Sequence, residues 1–290
     1  MTPRQILLAL VPPACWGVGF TIAKPAVAQF PPLFMMLLVY GAIAAWLTLR
    51  DRAPIATSWA RMLLISSLAV TIQGALIFIG LKGLPATTAN LVLQIQVPMA
   101  VILGWLVGGE MLGLRKSIGT LIAIAGVAMV IGLPEETPPL IPVVLIVAGA
   151  FAWALGQVLA RKLGRDDGLR FLRANAIAAL PQLLLATILF ESGQIAALQT
   201  ASPGQWAALL FVGVIGFYAA YAAWYTLLRQ CRIDEVAPFV LLMPVFGIVS
   251  AFLALGETVA PAQIAGGLVI LAGLATVSGL APAATVKAGH

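Results

Sequence analysis

Charged residues are scarce in this chain of 290 residues, which has 16 Lys or Arg and 10 Asp or Glu. Soluble domains average about 25% charged residues, whereas the fraction here is 9%, with 62% apolar residues. A soluble fold would need polar groups to cover its surface, and the sequence does not contain enough of them. The composition therefore excludes an ordinary soluble domain, intrinsic disorder and a collagen-like chain. It predicts a polytopic integral membrane protein.

Cysteine and histidine are almost absent, with two Cys and one His in the whole chain. Cys15 and Cys231 fall at different levels of the expected membrane protein, which argues against a disulfide. The histidine is the last residue, and no metal-ligand spacing or nucleotide-binding Gly-rich loop occurs. We therefore expect neither a metal nor a cofactor.

Long stretches without any charge follow one another along the chain. Each is about as long as, or longer than, the ~17–25 residues that a helix needs to cross a bilayer. The ten runs are 5–23, 25–49, 62–81, 83–109, 117–134, 137–160, 174–190, 192–228, 236–256 and 258–286. The eighth begins with a polar, turn-rich part, so that its spanning portion is expected at 206–228. The sequence predicts an all-α protein with ten transmembrane helices.

The Lys and Arg residues predict the orientation of these helices. With the N-terminus in the cytoplasm, 14 of them fall in cytoplasmic loops and tails, and only Lys24 and Lys82 fall outside. We therefore expect a multi-pass inner-membrane protein with both termini cytoplasmic, whose first helix is kept as an anchor. The basic residues are dispersed among short loops, which argues against a nucleic-acid partner.

Two segments share a pattern of Pro, Gly-Glu and two further glycines. The shared positions are Pro98, Gly109, Glu110, Gly119 and Gly126 in the first copy, and Pro244, Gly256, Glu257, Gly266 and Gly273 in the second. In both copies the last two glycines follow the Glu by 9 and 16 residues. This spacing indicates an internal duplication.

The duplication divides the chain into a first repeat at 1–134, a second at 139–281 and a cytoplasmic tail at 282–290. Each repeat carries five helices, and because five is odd, equivalent helices cross the membrane in opposite directions. Inverted repeats of this kind are typical of secondary transporters, which expose a midplane site to each side in turn.

Several of these residues also resemble a known family. Trp16-Gly17, Phe20 and Lys24, with the Pro…Gly-Glu…Gly…Gly ending of each half, resemble the EamA repeat of the drug/metabolite transporter superfamily. The run from Phe151 to Lys162 resembles the start of the second repeat. The resemblance covers essentially the whole chain and is strongest to YddG-type exporters of aromatic and other neutral amino acids. It implies a ten-helix bundle that moves small metabolites by alternating access.

Polar and aromatic residues at mid-depth are the candidates for substrate binding, because unpaired polar groups are costly in hydrocarbon. Trp16 and Trp153 occupy corresponding places in the two repeats, and three tyrosines repeat at i, i+3 and i+7. The candidate residues are Trp16, Gln73, Asn90, Gln94, Trp153, Gln157, Tyr218, Tyr221 and Tyr225. For each amide, the alternative is an interhelical hydrogen bond that stabilises the bundle. An aromatic cavity with a few amides suits a neutral or zwitterionic solute with an apolar side chain.

Three further residues are candidates for a hinge or gate. Pro98 and Pro244 remove backbone hydrogen bonds near the centres of the fourth and ninth runs, at equivalent positions of the repeats. Lys24 ends the first run, where its ammonium either reaches the external face or contacts the substrate carboxylate.

These observations favour an exporter of small metabolites, with aromatic and other neutral amino acids as substrates. A drug or other metabolite exporter of the same fold is the nearest alternative, and an intramembrane enzyme acting on lipid-linked substrates is a more distant one. The enzyme would need a nucleophile and a base at mid-depth, whereas the sequence offers amides, hydroxyls and aromatic rings there. The expected partners are the bilayer and the small-molecule substrate. The oligomeric state stays open and is compatible with a monomer.

Overall fold

The structure is a computed structural model that describes residues 2–109, 113–132, 138–166, 168–230, 239–240 and 242–278. Every regular element in these ranges is helical, which confirms the all-α prediction. The helices are α1 (Pro3–Gln29), α2 (Pro32–Arg50), α3 (Trp59–Lys82), α4 (Ala86–Leu106), α5 (Leu114–Gly132), α6 (Leu140–Leu163), α7 (Gly168–Phe190), α8 (203–230), α9 (Met243–Leu255) and α10 (Pro261–Ser278). A short helix, Gln194–Thr200, precedes α8 within the stretch that the sequence marked as turn-rich.

Eight of these helices, α1 to α8, are long and apolar enough to cross a membrane. The described parts of α9 and α10 are shorter apolar helices, with Met243–Leu255 covering 13 residues. The chain is therefore a multi-pass membrane protein, and the count of ten crossings stays a prediction. The tail at 282–290 lies outside the described residues.

Helix starts follow from proline and capping residues. The first helix begins with Pro3 at its first position, and Thr2 and Gln5 form a reciprocal capping box there. Ser202 and Gln205 form the same motif at the start of α8. These caps satisfy amide groups that have no partner within the helix.

Two helices widen in their middle into a π-helical segment. In α3 it spans Ser67–Ile72, and in α8 it spans Phe211–Ala219. These two helices are the third members of their respective repeats. The irregularity is thus present in both halves, and π-segments often occur at functional sites.

The fourth helix is interrupted between its segments Ala86–Leu93 and Gln96–Leu106, directly ahead of Pro98. Pro98 cannot donate an amide hydrogen to the Gln94 carbonyl, which accepts the amide of Val97 instead at 3.1 Å. This carbonyl therefore already accepts one hydrogen bond at the break in the helix. Pro244 is the second residue of α9 and likewise follows a turn at Leu242.

The largest contacts between helices occur in pairs that exchange of the two repeats converts into one another. Helix α2 packs on α7 and α5 packs on α10, and each of these pairs joins equivalent helices. The contact of α1 with α9 corresponds to that of α6 with α4, and the contact of α1 with α8 corresponds to that of α6 with α3. This pattern is the one expected for two inverted five-helix repeats.

The repeated glycines form the contact between α5 and α10. A Cβ atom at Gly119 would lie 2.7 Å from the Gly273 carbonyl oxygen, and one at Gly126 would lie 2.9 Å from that of Gly266. Exchanging the repeats converts the first pair into the second. Small residues allow helix backbones to approach closely in a membrane, and here they join the two halves of the molecule.

Candidate functional site

Four aromatic side chains meet in the middle of the bundle. The ring centroids of Trp16 and Tyr221 are 5.5 Å apart in an edge-to-face arrangement, and those of Trp16 and Trp224 are 6.2 Å apart. The side chain of Trp153 lies beside the Tyr221 hydroxyl. We call these four residues, Trp16, Trp153, Tyr221 and Trp224, the aromatic centre.

The positions of the two repeats explain why these residues meet. Trp16 and Trp153 are each the fourteenth residue of their helices, α1 and α6. At ~1.5 Å per residue each lies about 20 Å along its helix, near the middle of the bilayer. Tyr221 of α8 contacts both of them, so the aromatic centre joins the first repeat to the second.

Tyr218 and Tyr221, predicted to share one stripe, contact different helices. Tyr218 packs edge-on against Trp46 of α2 at 6.3 Å, whereas Tyr221 packs against Trp16 of α1. Tyr218 lies in the π-helical segment, which has more residues per turn than an α-helix. Residues three positions apart, such as Tyr218 and Tyr221, therefore point in more different directions than they would in an α-helix. The side chain of Tyr225 lies outside the described residues.

Asn90 and Gln94 lie next to the break in α4, and both are buried. The Asn90 amide donates to the carbonyls of Gly17 (3.3 Å) and Ala86 (3.2 Å), and the Gln94 amide donates to the Asn90 carbonyl at 3.2 Å. Asn90 therefore links α4 to α1, and it fills the space left by the absent side chain of Gly247. Its Oδ1 has no hydrogen-bond partner among the described residues, so one acceptor stays available.

Gln73 and Gln157 are half-buried, and neither side chain makes a hydrogen bond with the described residues. Gln157 lies one turn beyond Trp153 on α6. Gln73 follows the π-helical segment of α3, and its backbone carbonyl packs against Gly149 of α6. The side-chain amides of Gln73 and Gln157 can therefore bind a solute with all their donors and acceptors. Those of Asn90 and Gln94 already use most of their donors within the protein.

Lys24 lies at the end of the bundle that the sequence predicts to be external. Its ammonium donates to the Leu84 carbonyl just before α4. The Glu257 carboxylate accepts the amides of Ala86 (2.8 Å) and Thr87 (2.9 Å) at the start of the same helix. An anion at a helix N-terminus is favourable, and here it ties the end of α9 to α4.

Further contacts close this end of the bundle. The hydroxyls of Thr21 in α1 and Ser250 in α9 are 2.8 Å apart, and the Gln263 amide donates to the Thr88 hydroxyl at 3.0 Å. Thr21 and Thr88 are buried. The route between the aromatic centre and the Lys24 end is therefore closed in this structure. Glu110 and the corresponding start of the ninth span lie outside the described residues.

The loops at the opposite end join the repeats through charged groups. Asp51 lies 3.5 Å from Arg170 and 3.7 Å from Arg173 at the start of α7. The amide of Ala53, and then Arg173 and Arg170, lower the pKa of Asp51. Burial acts to raise the pKa of Asp166. Its carboxylate accepts hydrogen bonds from the backbone amides of residues 56 and 57, and these bonds outweigh burial, so the net shift lowers that pKa.

Trp224 is the member of the aromatic centre that the sequence analysis missed. It packs with Leu8 and Ala9 of α1, Leu227 of α8 and Phe239. These residues lie between the centre and the end of the bundle that carries the N-terminus. The one sequence signal for Trp224 is its spacing, one helical turn after Tyr221.

The chemistry of the site is that of neutral groups. Among the described residues, no group of three His, Cys, Asp or Glu side chains could hold a metal ion. The four described carboxylates, Asp51, Asp166, Glu191 and Glu257, all lie at helix ends or in loops. Aromatic faces and uncharged amides can hold a small solute by stacking, cation–π contacts and hydrogen bonds.

Comparison with known proteins identifies the family. The model of the EamA-like transporter family matches the chain twice, at residues 3–132 and 140–279. The chain therefore belongs to the EamA-like transporter family, as its sequence resemblance implied.

Individual relatives share most of their length with the chain. It is 30% identical to a probable amino-acid metabolite efflux pump of Salmonella typhimurium, over 94% of each chain. It is 29% identical to the protein of the same description in Escherichia coli, over the full length of both. A probable terminal-alkyne amino-acid exporter of Streptantibioticus cattleyicolor is 25% identical over 90% of this chain and 92% of its own.

The fold is also known from crystallography. One crystal structure matches with a TM-score of 0.69, over 97% of this chain and 98% of that one, at 19% identity. At this identity the likeness concerns the fold alone.

Proposed function

We propose that this protein exports small metabolites from the cytoplasm, with aromatic and other neutral amino acids as its substrates. The observation that carries the proposal is the aromatic centre, where Trp16 and Trp153 from equivalent positions of the two repeats meet at Tyr221. Relatives described as probable amino-acid metabolite efflux pumps support the same substrate class.

The chemistry of the centre suits an uncharged or zwitterionic solute. The indole faces of Trp16 and Trp153 offer an apolar surface to an aromatic side chain and a favourable site for an ammonium group. The free amides of Gln73 and Gln157 can bind a carboxylate. A multidrug transporter for cations would be expected to place a carboxylate at this depth, and the described part of the bundle has its carboxylates at the helix ends.

The mirrored packing supports alternating access as the mechanism. If the two repeats exchange their conformations, the contacts that close the Lys24 end open, and equivalent contacts close the other end. The breaks ahead of Pro98 and Pro244 would act as hinges in this motion. The Lys and Arg distribution favours an inner-membrane location with both termini in the cytoplasm.

The proposal is tested by uptake of a panel of labelled solutes into proteoliposomes that contain only this protein. The panel comprises neutral amino acids, charged amino acids and a lipophilic cation. We expect saturable uptake of neutral amino acids, with aromatic ones among the best substrates. Failure of every neutral amino acid, with folding verified by circular dichroism, would refute the substrate class. Uptake of the cation alone would favour a drug exporter instead.

Variants of the centre then test the site. Trp153→Ala removes an aromatic face beside the Tyr221 hydroxyl, and we expect its KM for phenylalanine to rise about tenfold or more. Trp105→Ala is the matched control, because this tryptophan is 50% exposed on the outside of α4. Equal KM values for both variants and the wild type would exclude the aromatic centre as the substrate site.

A further inference from the structure

Gln182 of α7 lies against the π-helical segment of α3. It is the fifteenth of the 23 residues of α7, near the middle of the membrane, and it is half-buried. Its Nε2 lies within hydrogen-bond distance of the Leu63 carbonyl (3.1 Å), the Ser66 hydroxyl (2.6 Å) and the Ala178 carbonyl of its own helix (3.0 Å). Its Oε1 accepts from the Thr71 hydroxyl at 3.2 Å. Both polar atoms of the side chain are thus engaged, and three of the four contacts are with α3.

The contacts with Ser66 and Thr71 fit a π-helix better than an α-helix. The two residues are five positions apart, and Ser66 directly precedes the segment Ser67–Ile72. In an α-helix, with ~3.6 residues per turn, side chains five positions apart point about 140° away from each other. In a π-helix, residues five positions apart are joined by backbone hydrogen bonds and lie one above the other. The amide group of Gln182 reaches both hydroxyls because α3 has the wider turn there.

The residue that directly follows this segment is Gln73, a candidate substrate-binding residue. Its backbone amide donates to the Val70 carbonyl, three residues back, where the chain returns to the α-helix. A π-helical turn holds about one residue more than an α-helical turn, and one residue corresponds to about 100° of rotation in an α-helix. Loss of the wide turn would therefore rotate Gln73 relative to the part of α3 before the segment.

The second repeat has a corresponding arrangement. The π-helical segment of α8, Phe211–Ala219, ends two residues before Tyr221 of the aromatic centre. Helix α2 packs on this segment, and the ring centroids of Tyr40 and Phe217 lie 5.3 Å apart in an edge-to-face arrangement. Since α2 and α7 are the second helices of their repeats, each π-helical segment is contacted by the second helix of the other repeat. The contact uses an aromatic ring in one half and an amide in the other.

We propose that Gln182 is a positioning residue, which holds the π-helical register of α3 and so directs the Gln73 side chain towards the substrate. This inference rests on the proposed function, which assigns Gln73 to the substrate. Gln182 acts through α3, because its contacts are with that helix and with its own. An amide that merely joined two helices would need one partner on α3, whereas Gln182 contacts residues before the segment and within it.

The test measures transport kinetics of the full-length protein in proteoliposomes. Gln182→Met keeps a side chain of similar length without the amide, and we expect its KM for phenylalanine to rise about threefold or more, with the maximal rate nearly unchanged. Thr71→Val removes only the bond to the Gln182 Oε1 and should raise the KM less. The matched control is Gln29→Met at the end of α1, which loses bonds to the Ala197 carbonyl (3.0 Å) and the Thr200 hydroxyl (2.9 Å). It should keep the wild-type KM.

A second readout follows the direction of residue 73 without transport. Gln73→Cys is made with Cys15 and Cys231 replaced by Ala, and its rate of reaction with a small thiol reagent is measured. Adding Gln182→Met should change this rate severalfold, because the new thiol then points in another direction, whereas adding Gln29→Met should not. A wild type that transports no neutral amino acid would contradict the proposed function, but the labelling would still test the role of Gln182.

Two results would overturn the proposal. Unchanged KM and unchanged labelling in Gln182→Met would show that the register of α3 does not depend on this amide. Equal changes in Gln182→Met and Gln29→Met would show that the loss of any hydrogen bond between helices has the same effect. If circular dichroism shows that Gln182→Met does not fold, the same two readouts in Thr71→Val decide the question.

Discussion

Replacing Gly126 by Ala tests the contact between the two repeats. In an exposed helix position, Gly→Ala stabilises by about 0.5–1 kcal/mol, because glycine has more backbone entropy to lose on folding. At Gly126 the new methyl group would lie 2.6 Å from the Ile270 amide nitrogen and 2.9 Å from the Gly266 carbonyl oxygen. These are backbone atoms of α10, which can yield only if the whole helix moves.

The expected magnitude follows from these two effects. Overpacking a well-packed contact costs typically 1–3 kcal/mol, and subtracting the helix-propensity gain of about 0.5–1 kcal/mol leaves a net loss of roughly 0–2.5 kcal/mol, with a central value near 1 kcal/mol. Gly19→Ala is the matched control, because no atom from a neighbouring helix lies within 4 Å of the position that its Cβ would occupy on α1. That variant should be unchanged or more stable by up to about 1 kcal/mol.

The assay is unfolding of the purified protein in mixed micelles, followed by circular dichroism as the denaturing detergent is increased. Gly126→Ala should unfold at a lower denaturant fraction than the wild type, and Gly19→Ala at an equal or higher one. The pair Gly126→Ala and Gly273→Ala should be less than additive, because both residues act at one interface. Equal stability of Gly126→Ala and Gly19→Ala would refute the close glycine contact between α5 and α10.

Three other changes have defined outcomes. Glu257→Gln keeps one acceptor for the amides of Ala86 and Thr87 but loses the negative charge at the start of α4. The unfolding free energy should therefore fall by about 1 kcal/mol in the same assay. No change would mean that this contact with the helix N-terminus does not stabilise the protein. The lowered pKa of Asp51 means that its stabilising contribution is complete at neutral pH and is lost as the pH falls through its folded-state value, below about pH 4. Asp51→Asn should therefore reduce the acid sensitivity of unfolding, and an identical pH profile would contradict this. Lys24→Met removes the ammonium that donates to the Leu84 carbonyl. If Lys24 gates the external end, the maximal transport rate should change while the unfolding free energy stays nearly the same. Unaltered transport kinetics would exclude that role.

The sequence predicted the architecture because its signals are local. Charge-free runs are read from single segments, and the repeat is read by comparing two segments, so neither requires knowledge of which helices touch. The repeated glycines were recognised as a pattern, but their role was not. Which helix lies opposite Gly119 depends on how the two halves dock, and the structure places Gly273 there.

The candidate site was predictable in part. Trp16 and Trp153 were selected by their depth and their equivalent positions, and the structure brings both to Tyr221. Tyr218 and Tyr221 contact different helices because a π-helical segment ends between them, and such a segment has no simple sequence signal.

The hydrogen-bond partners of the polar residues could not be predicted from the sequence either. Asn90 and Gln94 were expected to share a face from their spacing, and the structure shows both beside the break in α4. The bond from the Asn90 amide to the Gly17 carbonyl depends on α1 lying within reach of Asn90, whereas the other two bonds stay within α4. A partner on a distant segment cannot be read from helical spacing alone.

Alternating access through the aromatic centre is tested most directly by the accessibility of a single cysteine at Gln157, one turn from Trp153. The variant Gln157→Cys is made with Cys15 and Cys231 replaced by Ala, and a membrane-impermeant thiol reagent is added to either face of oriented proteoliposomes. We predict labelling from both faces and slower labelling from both when phenylalanine is present. Labelling from one face only, at a rate that phenylalanine does not change, would contradict the account.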